Sequence, residues 1–256
     1  MKLSVAIATY NEEKKLDACL ASIVSWTDEI VLVDGGSVDR TLETAAKYKA
    51  RIIQTDNPPI FHINKQKALE ACKGDWILQL DADEVVTPEL AKEIRQITDN
   101  RQQITDKGYF IPRKNFFCGR WLSKGGQYPD YLIRLIRRGS AHFPCKSVHE
   151  QIVVDGKVGH LNNPLLHYPY GSIGDYWRKA NAYISLTAQE YKEKKLPLNL
   201  LTYVEYNFFK PVVTFFSIFM RHKGFVDGYW GFLFALFSAL HHPLAYMRYI
   251  KNQQRS

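Results

Sequence analysis

Between Gly74 and Pro88 the chain runs through Trp76-Ile77-Leu78-Gln79-Leu80 and passes without a spacer into Asp81-Ala82-Asp83-Glu84. An apolar run this short, bounded by turn residues, is too brief for a core helix and reads as a buried strand. Its acids then sit at the strand's carboxyl end, where open α/β sheets form their ligand crevices. Carboxylates there are costly to desolvate unless they hold a cation or accept hydrogen bonds. A divalent metal carrying a phosphorylated ligand meets that need. The competing reading is a solvated strand-to-helix turn whose acids face the N-terminus of the next helix.

The surrounding pattern favours the crevice. Residues 3–8 form an apolar strand stopping at Thr9-Tyr10-Asn11-Glu12, where Asn11 has the chemistry of a helix N-cap. Leu16, Cys19, Leu20, Ile23 and Val24 then lie on one helical face. A second apolar run, Ile30 to Val33, ends in Asp34-Gly35-Gly36-Ser37-Val38-Asp39. A helix from Thr41 to Tyr48, a strand at Ile52-Ile53 and a helix from His62 to Lys73 follow, with Gly74 suited to C′. After the Asp-Ala-Asp strand, Thr87-Pro88 opens another helix through Leu90, Ile94 and Ile97. Such alternation predicts a largely parallel sheet, so the three polar clusters converge on one edge. Neither GxGxxG nor GxxxxGK(S/T) occurs, so neither a typical dinucleotide fold nor a P-loop kinase is supported.

The formal charge of +8 directs the chain towards anionic partners without choosing among nucleic acid, acidic lipid and phosphorylated glycan. Basic disordered arms and known nucleic-acid motifs are missing, so a non-catalytic nucleic-acid binder is disfavoured. Four scattered cysteines without CxxC spacing point to a reducing cytoplasm, and Lys2 to Ala8 reads as a first strand, not a leader.

Together, Ala8-Thr9-Tyr10-Asn11-Glu12, Val33-Asp34-Gly35-Gly36-Ser37-Val38-Asp39-Arg40-Thr41 and Leu80-Asp81-Ala82-Asp83-Glu84 resemble the family 2 glycosyltransferases of the A-type glycosyltransferase fold, over about residues 3–155. Gln127-Tyr128-Pro129-Asp130, Ile133-Arg134-Leu135-Ile136-Arg137-Arg138 and Val148-His149-Glu150 look like the bacterial lipopolysaccharide-core glucosyltransferases of that family. The resemblance implies a Rossmann-like, mostly parallel sheet flanked by helices. It also implies an inverting, metal-dependent transfer of a sugar, glucose first, from a UDP-sugar to an inner-core heptose. A polyprenyl phosphate or another glycan is the alternative acceptor.

Under that resemblance Thr9, Tyr10, Asn11, Glu12 and Asp34 contact the nucleobase and ribose, and the Asp34 carboxylate can accept the imide N–H of uracil. Gly35 replaces a second acid of many relatives, and Lys65-Gln66 stands where they carry Arg-Asn. Lys65 joins the donor site. Asp83 binds Mg²⁺ or Mn²⁺, Asp81 reaches the ribose or a metal-bound water, and His149 is a further metal or diphosphate contact or a core residue. Glu150 is the general base, with Asp130 the alternative. Arg134, Arg137 and Arg138 are candidates for the acceptor's phosphates.

The two domains expected are 1–170, for the nucleotide sugar and catalysis, and 171–256, helical, amphipathic and basic. The apolar runs 212–220 and 229–240 are too short to span a bilayer. Residues 203–256 carry Lys210, Arg221, Lys223, Arg248, Lys251 and Arg255 against Glu205 and Asp227, six minus two, or +4. Aromatic and basic residues on short helices suit an anionic leaflet, so peripheral attachment to the inner face of the cytoplasmic membrane is expected. A helical lid and an oligomer interface compete with it.

Overall fold

The computed structural model describes residues 1–99, 105–146 and 150–254. They form two compact units, Met1–Arg113 with Tyr131–His167, and Lys114–Asp130 with Tyr168–Ser256. The division differs from the expected 1–170 and 171–256 in assigning the inner segment Lys114–Asp130 to the helical unit.

The chain opens with β1 (Leu3–Thr9), α1 (Leu16–Ala21), β2 (Glu29–Asp34), α2 (Thr41–Lys47), β3 (Arg51–Gln54), α3 (His62–Ala71) and β4 (Trp76–Asp81). Then come β5 (Glu84–Val86), α4 (Pro88–Asp99), β6 (Gly108–Phe117), β7 (Arg120–Trp121) and β8 (Asp130–Arg137). The short strands β9 (Ala141–His142), β10 (Val153–Val154) and β11 (Val158–His160) precede β12 (Leu165–Tyr170). The main sheet has the order β3-β2-β1-β4-β8-β6-β12-β5. β3, β2, β1 and β4 are parallel, while β8 runs antiparallel to β4 and β12 antiparallel to β5.

Alternation along the central strands explains the layering, because successive side chains leave opposite faces of a strand. Val5, Ile7, Leu78 and Leu80 pack on one face with Leu16 and Leu20 of α1 and Leu90 and Ile94 of α4. Ala6, Val31, Val33 and Ile77 pack on the other with Ala68 and Leu69 of α3. Each Val, Leu or Ile among them contributes about 1.5–3 kcal/mol when fully buried. Both faces of the parallel strands are therefore mainly apolar, and the polar clusters gather where those strands end.

Two local expectations are corrected. Asn11 caps no helix: α1 starts at Leu16, and Asn11 has φ 54 in a loop that turns towards β2. Gly74 is not the C′ residue of α3, which ends at Ala71 with Cys72 extended. Gly74 is needed for close approach, since a Cβ there would lie 2.7 Å from the Ser4 amide nitrogen and 2.7 Å from its hydroxyl.

The second unit contains α5 (Ile173–Glu193), α6 (Leu200–Val204), α7 (Lys210–Phe216) and α8 (Gly228–Gln253). Single π turns at Glu205–Phe209 and Ser217–Arg221 join α6 and α7 into one continuous helix from Leu200 to Arg221. Ser172 caps α5 by accepting from the Asp175 amide. Phe117 and Leu122 pack with Tyr176, Ala180 and Ile184 of α5 and Ala245 of α8. The Asp227 carboxylate accepts from the Ser123 amide (3.0 Å), the Ser123 hydroxyl (2.8 Å) and the Lys124 amide (2.9 Å). This clasp ties Lys114–Asp130 to the helices. Among the described residues no helix is long and apolar enough to cross a membrane.

Candidate active site

The parallel register pairs Thr9 with Asp34 and Ala8 with Asp81, so the three polar clusters share one sheet edge. The Asp34 carboxylate is 0% exposed and accepts from the Gly36 and Ser37 amides and the Thr9 and Ser37 hydroxyls. A carboxylate offers about four lone-pair sites, and the chain's own donors occupy them. The expected contact with a uracil imide is therefore not preformed: Asp34 is spent on holding its loop, where Gly36 at φ 83 makes the turn. Further hydrogen bonds join the two loops, from the Val38 amide to Asn11 Oδ1 (2.9 Å), the Asn11 amide to Ser37 Oγ (2.8 Å) and the Glu12 amide to Thr41 Oγ1 (2.8 Å). Tyr10, 46% exposed, is left as an aromatic face on that rim.

Next to this rim lies a buried charge cluster. Asp81 forms ion pairs with Lys65 and, at 2.7 Å, with Arg134. Glu84, wholly buried, accepts from the Asp81 amide (2.9 Å) and pairs with Arg134 (2.6 Å) and Arg113 (3.3 Å). Arg134 also donates to the Gln79 side chain. Burial alone pushes the Asp81 carboxyl up, but the charges of Arg134 and Lys65 overcome it and hold that carboxyl well below the usual carboxylate range. Burial likewise disfavours the Arg134 cation, yet Asp81 and Glu84 hold it protonated more firmly than an ordinary arginine.

Arg134 therefore does not await an acceptor phosphate. It is 5% exposed and committed to internal carboxylates. Arg137 and Arg138 are not brought to the site either. Because β8 is antiparallel to β4, Arg137 pairs with Trp76, and five residues of strand, about 16 Å, separate that position from Asp81.

Lys65, Asp81, Arg113, Arg134, Phe143 and Glu150 line one cavity of about 140 Å³. Ligand pockets usually measure about 300–1,000 Å³, so this space is too small to enclose a whole drug-sized ligand. Glu150 lines it with one carboxylate oxygen accepting from the Lys146 amide at 2.8 Å. Asp130 belongs to the second unit, where it accepts from Asn115 Nδ2 at 3.0 Å. His149 lies outside the described residues.

Asp83 approaches Lys15 Nζ and His167 Nε2, each at 3.5 Å. Lys15 and His167 belong to no motif, so nothing in the sequence marks them as site neighbours. His167 reaches the edge through the antiparallel register of β12, opposite Glu84. Among the described residues no group of three or more His, Cys, Asp or Glu side chains forms a complete metal cage. The Asp83–His167 pair fits an ion that takes its other ligands from diphosphate and water, as Mg²⁺ and Mn²⁺ do.

The family model described as glycosyl transferase family 2 matches residues 4–153. An uncharacterised glycosyltransferase of Rickettsia typhi is 29% identical over 91% of this chain and 81% of its own. LpsC of Rhizobium meliloti, a lipopolysaccharide core biosynthesis glycosyltransferase, is 28% identical over 93% of this chain and 91% of its own. Among solved structures, S. aureus TarS 1–349 in complex with UDP superposes with a TM-score of 0.52 at 20% identity, covering 89% of this chain and 75% of that one. The same protein with UDP-GlcNAc gives 0.52 at 18% identity, over 95% and 82%.

Proposed function

Since the chain belongs to the family 2 glycosyltransferases and is a transferase using a nucleotide sugar, we propose that it moves a hexose, glucose in the first instance, from a UDP-sugar to an inner-core heptose of lipopolysaccharide, with inversion and with a divalent metal. The observation that carries this reading is the meeting of Glu150, Lys65 and Asp81 around one cavity. The likeness to LpsC supports the acceptor, and the nucleotides bound by TarS support the uridine donor.

The uracil stacks on Tyr10, and Asn11 and Glu12 meet the ribose at the rim. Lys65 and Arg113 draw the diphosphate into the cavity, where low local dielectric strengthens each ion pair. Asp83 and His167 would hold Mg²⁺ or Mn²⁺, which supplies charge neutralisation for the departing diphosphate. Glu150 takes the proton of the acceptor hydroxyl as its oxygen attacks the anomeric carbon. Attack on the face opposite the leaving UDP turns an α-linked donor into a β-linked product. Asp81, fixed by Arg134, holds the shape of the pocket and orients the ribose.

The deciding experiment combines turnover of UDP-glucose on a heptose-bearing acceptor with thermal stabilisation by UDP and Mn²⁺, since a ligand of the folded state raises its melting temperature. Glu150→Gln abolishes transfer and keeps the stabilisation, whereas Asp83→Asn loses its metal-dependent part. Full turnover in Glu150→Gln with none in Asp130→Asn would move the base to Asp130. Transfer to a polyprenyl phosphate and not to heptose would replace the acceptor. Indifference to every uridine nucleotide with Mn²⁺ would end the reading.

A further inference from the structure

The continuous helix Leu200–Arg221 turns its apolar side chains outward. Leu200, Val204, Phe208, Val212, Phe216 and Met220 are 46–76% exposed and recur at every fourth position. Their opposites, two residues along, face inward. Thr202 and Tyr206 are buried, the Thr214 hydroxyl bonds to His242 at 2.9 Å, and Ile218 lies against the position of Gly125.

A regular α-helix cannot keep such a stripe straight. At 3.6 residues per turn, each step of four overshoots by about 40°, and five steps would carry Met220 round to the side opposite Leu200. The π turns at Glu205–Phe209 and Ser217–Arg221 undo that drift, because each wraps more residues into its turn than an α-helix does. The backbone thus departs from its commonest form twice, and the outcome is one flat apolar face about 33 Å long. Side chains meant only to pack against a neighbouring helix would not need that face open.

The charge along the face identifies what covers it. From Leu200 to Val226 the chain carries Lys210, Arg221 and Lys223 against Glu205, three minus one, or +2. Lys210 and Glu205 pair with each other at 3.1 Å, leaving Arg221 and Lys223 as the exposed cations where the helix turns back. Exposed Phe225, Val226 and Tyr229 flank that turn. An apolar stripe ending in cations among aromatics complements acyl chains beneath a layer of phosphates.

We propose that Leu200–Arg221 lies in the surface of an acidic lipid leaflet, with the stripe from Leu200 to Met220 among the acyl chains and Arg221 and Lys223 among the lipid phosphates. The helix rests in the plane and does not cross it. This surface is independent of the donor site, so it stands or falls without the assignment of donor, acceptor or base.

The full chain, without nucleotide, is sedimented with vesicles of phosphatidylcholine, alone or mixed with phosphatidylglycerol. Binding is expected on the acidic vesicles and is weakened by salt. Arg221→Glu/Lys223→Glu lowers the partition coefficient by at least about thirtyfold, the factor for two cations at about 1 kcal/mol each near an acidic surface. Phe208→Ser/Phe216→Ser/Met220→Ser lowers it by about a hundredfold on the area it withdraws from lipid. Both variants keep the parent melting temperature, because the altered side chains are exposed. A Phe216→Trp protein gives fluorescence quenched by brominated acyl chains, a readout that a purely structural role would not produce. Vesicle binding that the serine variant leaves unchanged overturns the proposal. So does a parent that ignores acidic vesicles and sediments as a dimer which the serine substitutions dissociate, for the stripe then meets a second copy.

Discussion

Replacing Arg134 by methionine separates a structural cation from an acceptor ligand. The substitution keeps much of the side-chain length and removes the guanidinium that bridges Asp81, Glu84 and Gln79. Taking one partner from a buried ion pair costs about 3–5 kcal/mol, because the remaining charge has lost its solvent and its counter-ion. Here Glu84 keeps Arg113 at 3.3 Å and Asp81 keeps Lys65, so the lower end applies, about 3 kcal/mol. At about 2–4 °C per kcal/mol for a domain of this size, the melting temperature falls by about 6–12 °C. Adding Glu84→Gln restores part of the loss, since the uncompensated carboxylate is gone, and a double-mutant cycle by urea denaturation gives a coupling above about 1 kcal/mol. Loss of transfer with an unchanged melting temperature, and no coupling to Glu84, would refute this reasoning and return Arg134 to the acceptor.

Gly74→Ala places a methyl group 2.7 Å from both the Ser4 amide nitrogen and hydroxyl. About 1–3 kcal/mol of overpacking is expected, read as a lower urea midpoint with an unchanged slope. In the second unit, burial and then the neighbouring His242 depress His241, while burial and then Lys210 depress His242. A histidine depressed on folding gives its full stability above the unfolded value of about 6.5 and loses it as pH falls below. The melting temperature therefore declines as pH falls below about 6.5, and His241→Gln/His242→Gln flattens that limb; an unchanged slope in the double variant would refute the assignment.

The meeting of Thr9, Asp34 and Asp81 was legible in the sequence because parallel strands announce themselves by an apolar run and a polar end. The partners of those acids were not. Arg134 and Arg137 lie on one strand three residues apart, and only the antiparallel direction of β8 decides which of them reaches the rim. Periodicity is blind to direction. His167 was hidden for the same reason, since its strand closes beside β5 long after Asp83 has passed. Asp34 looked like a ligand because its residue type is right. Its occupation by Thr9, Gly36 and Ser37 depends on a turn whose hydrogen bonds no motif displays. In the tail, composition disclosed apolar and basic residues, whereas the π turns that aim them have no counterpart in a 3.6-residue pattern.

The clasp between Asp227 and Ser123-Lys124 makes the helical unit discontinuous along the chain. A chimera that exchanges the last third of this protein for that of a relative would transplant the buckle and leave the belt behind. Natural or laboratory recombination at a single crossover near residue 170 should therefore yield misfits, while a two-segment exchange that also carries 114–130 keeps lock and key together.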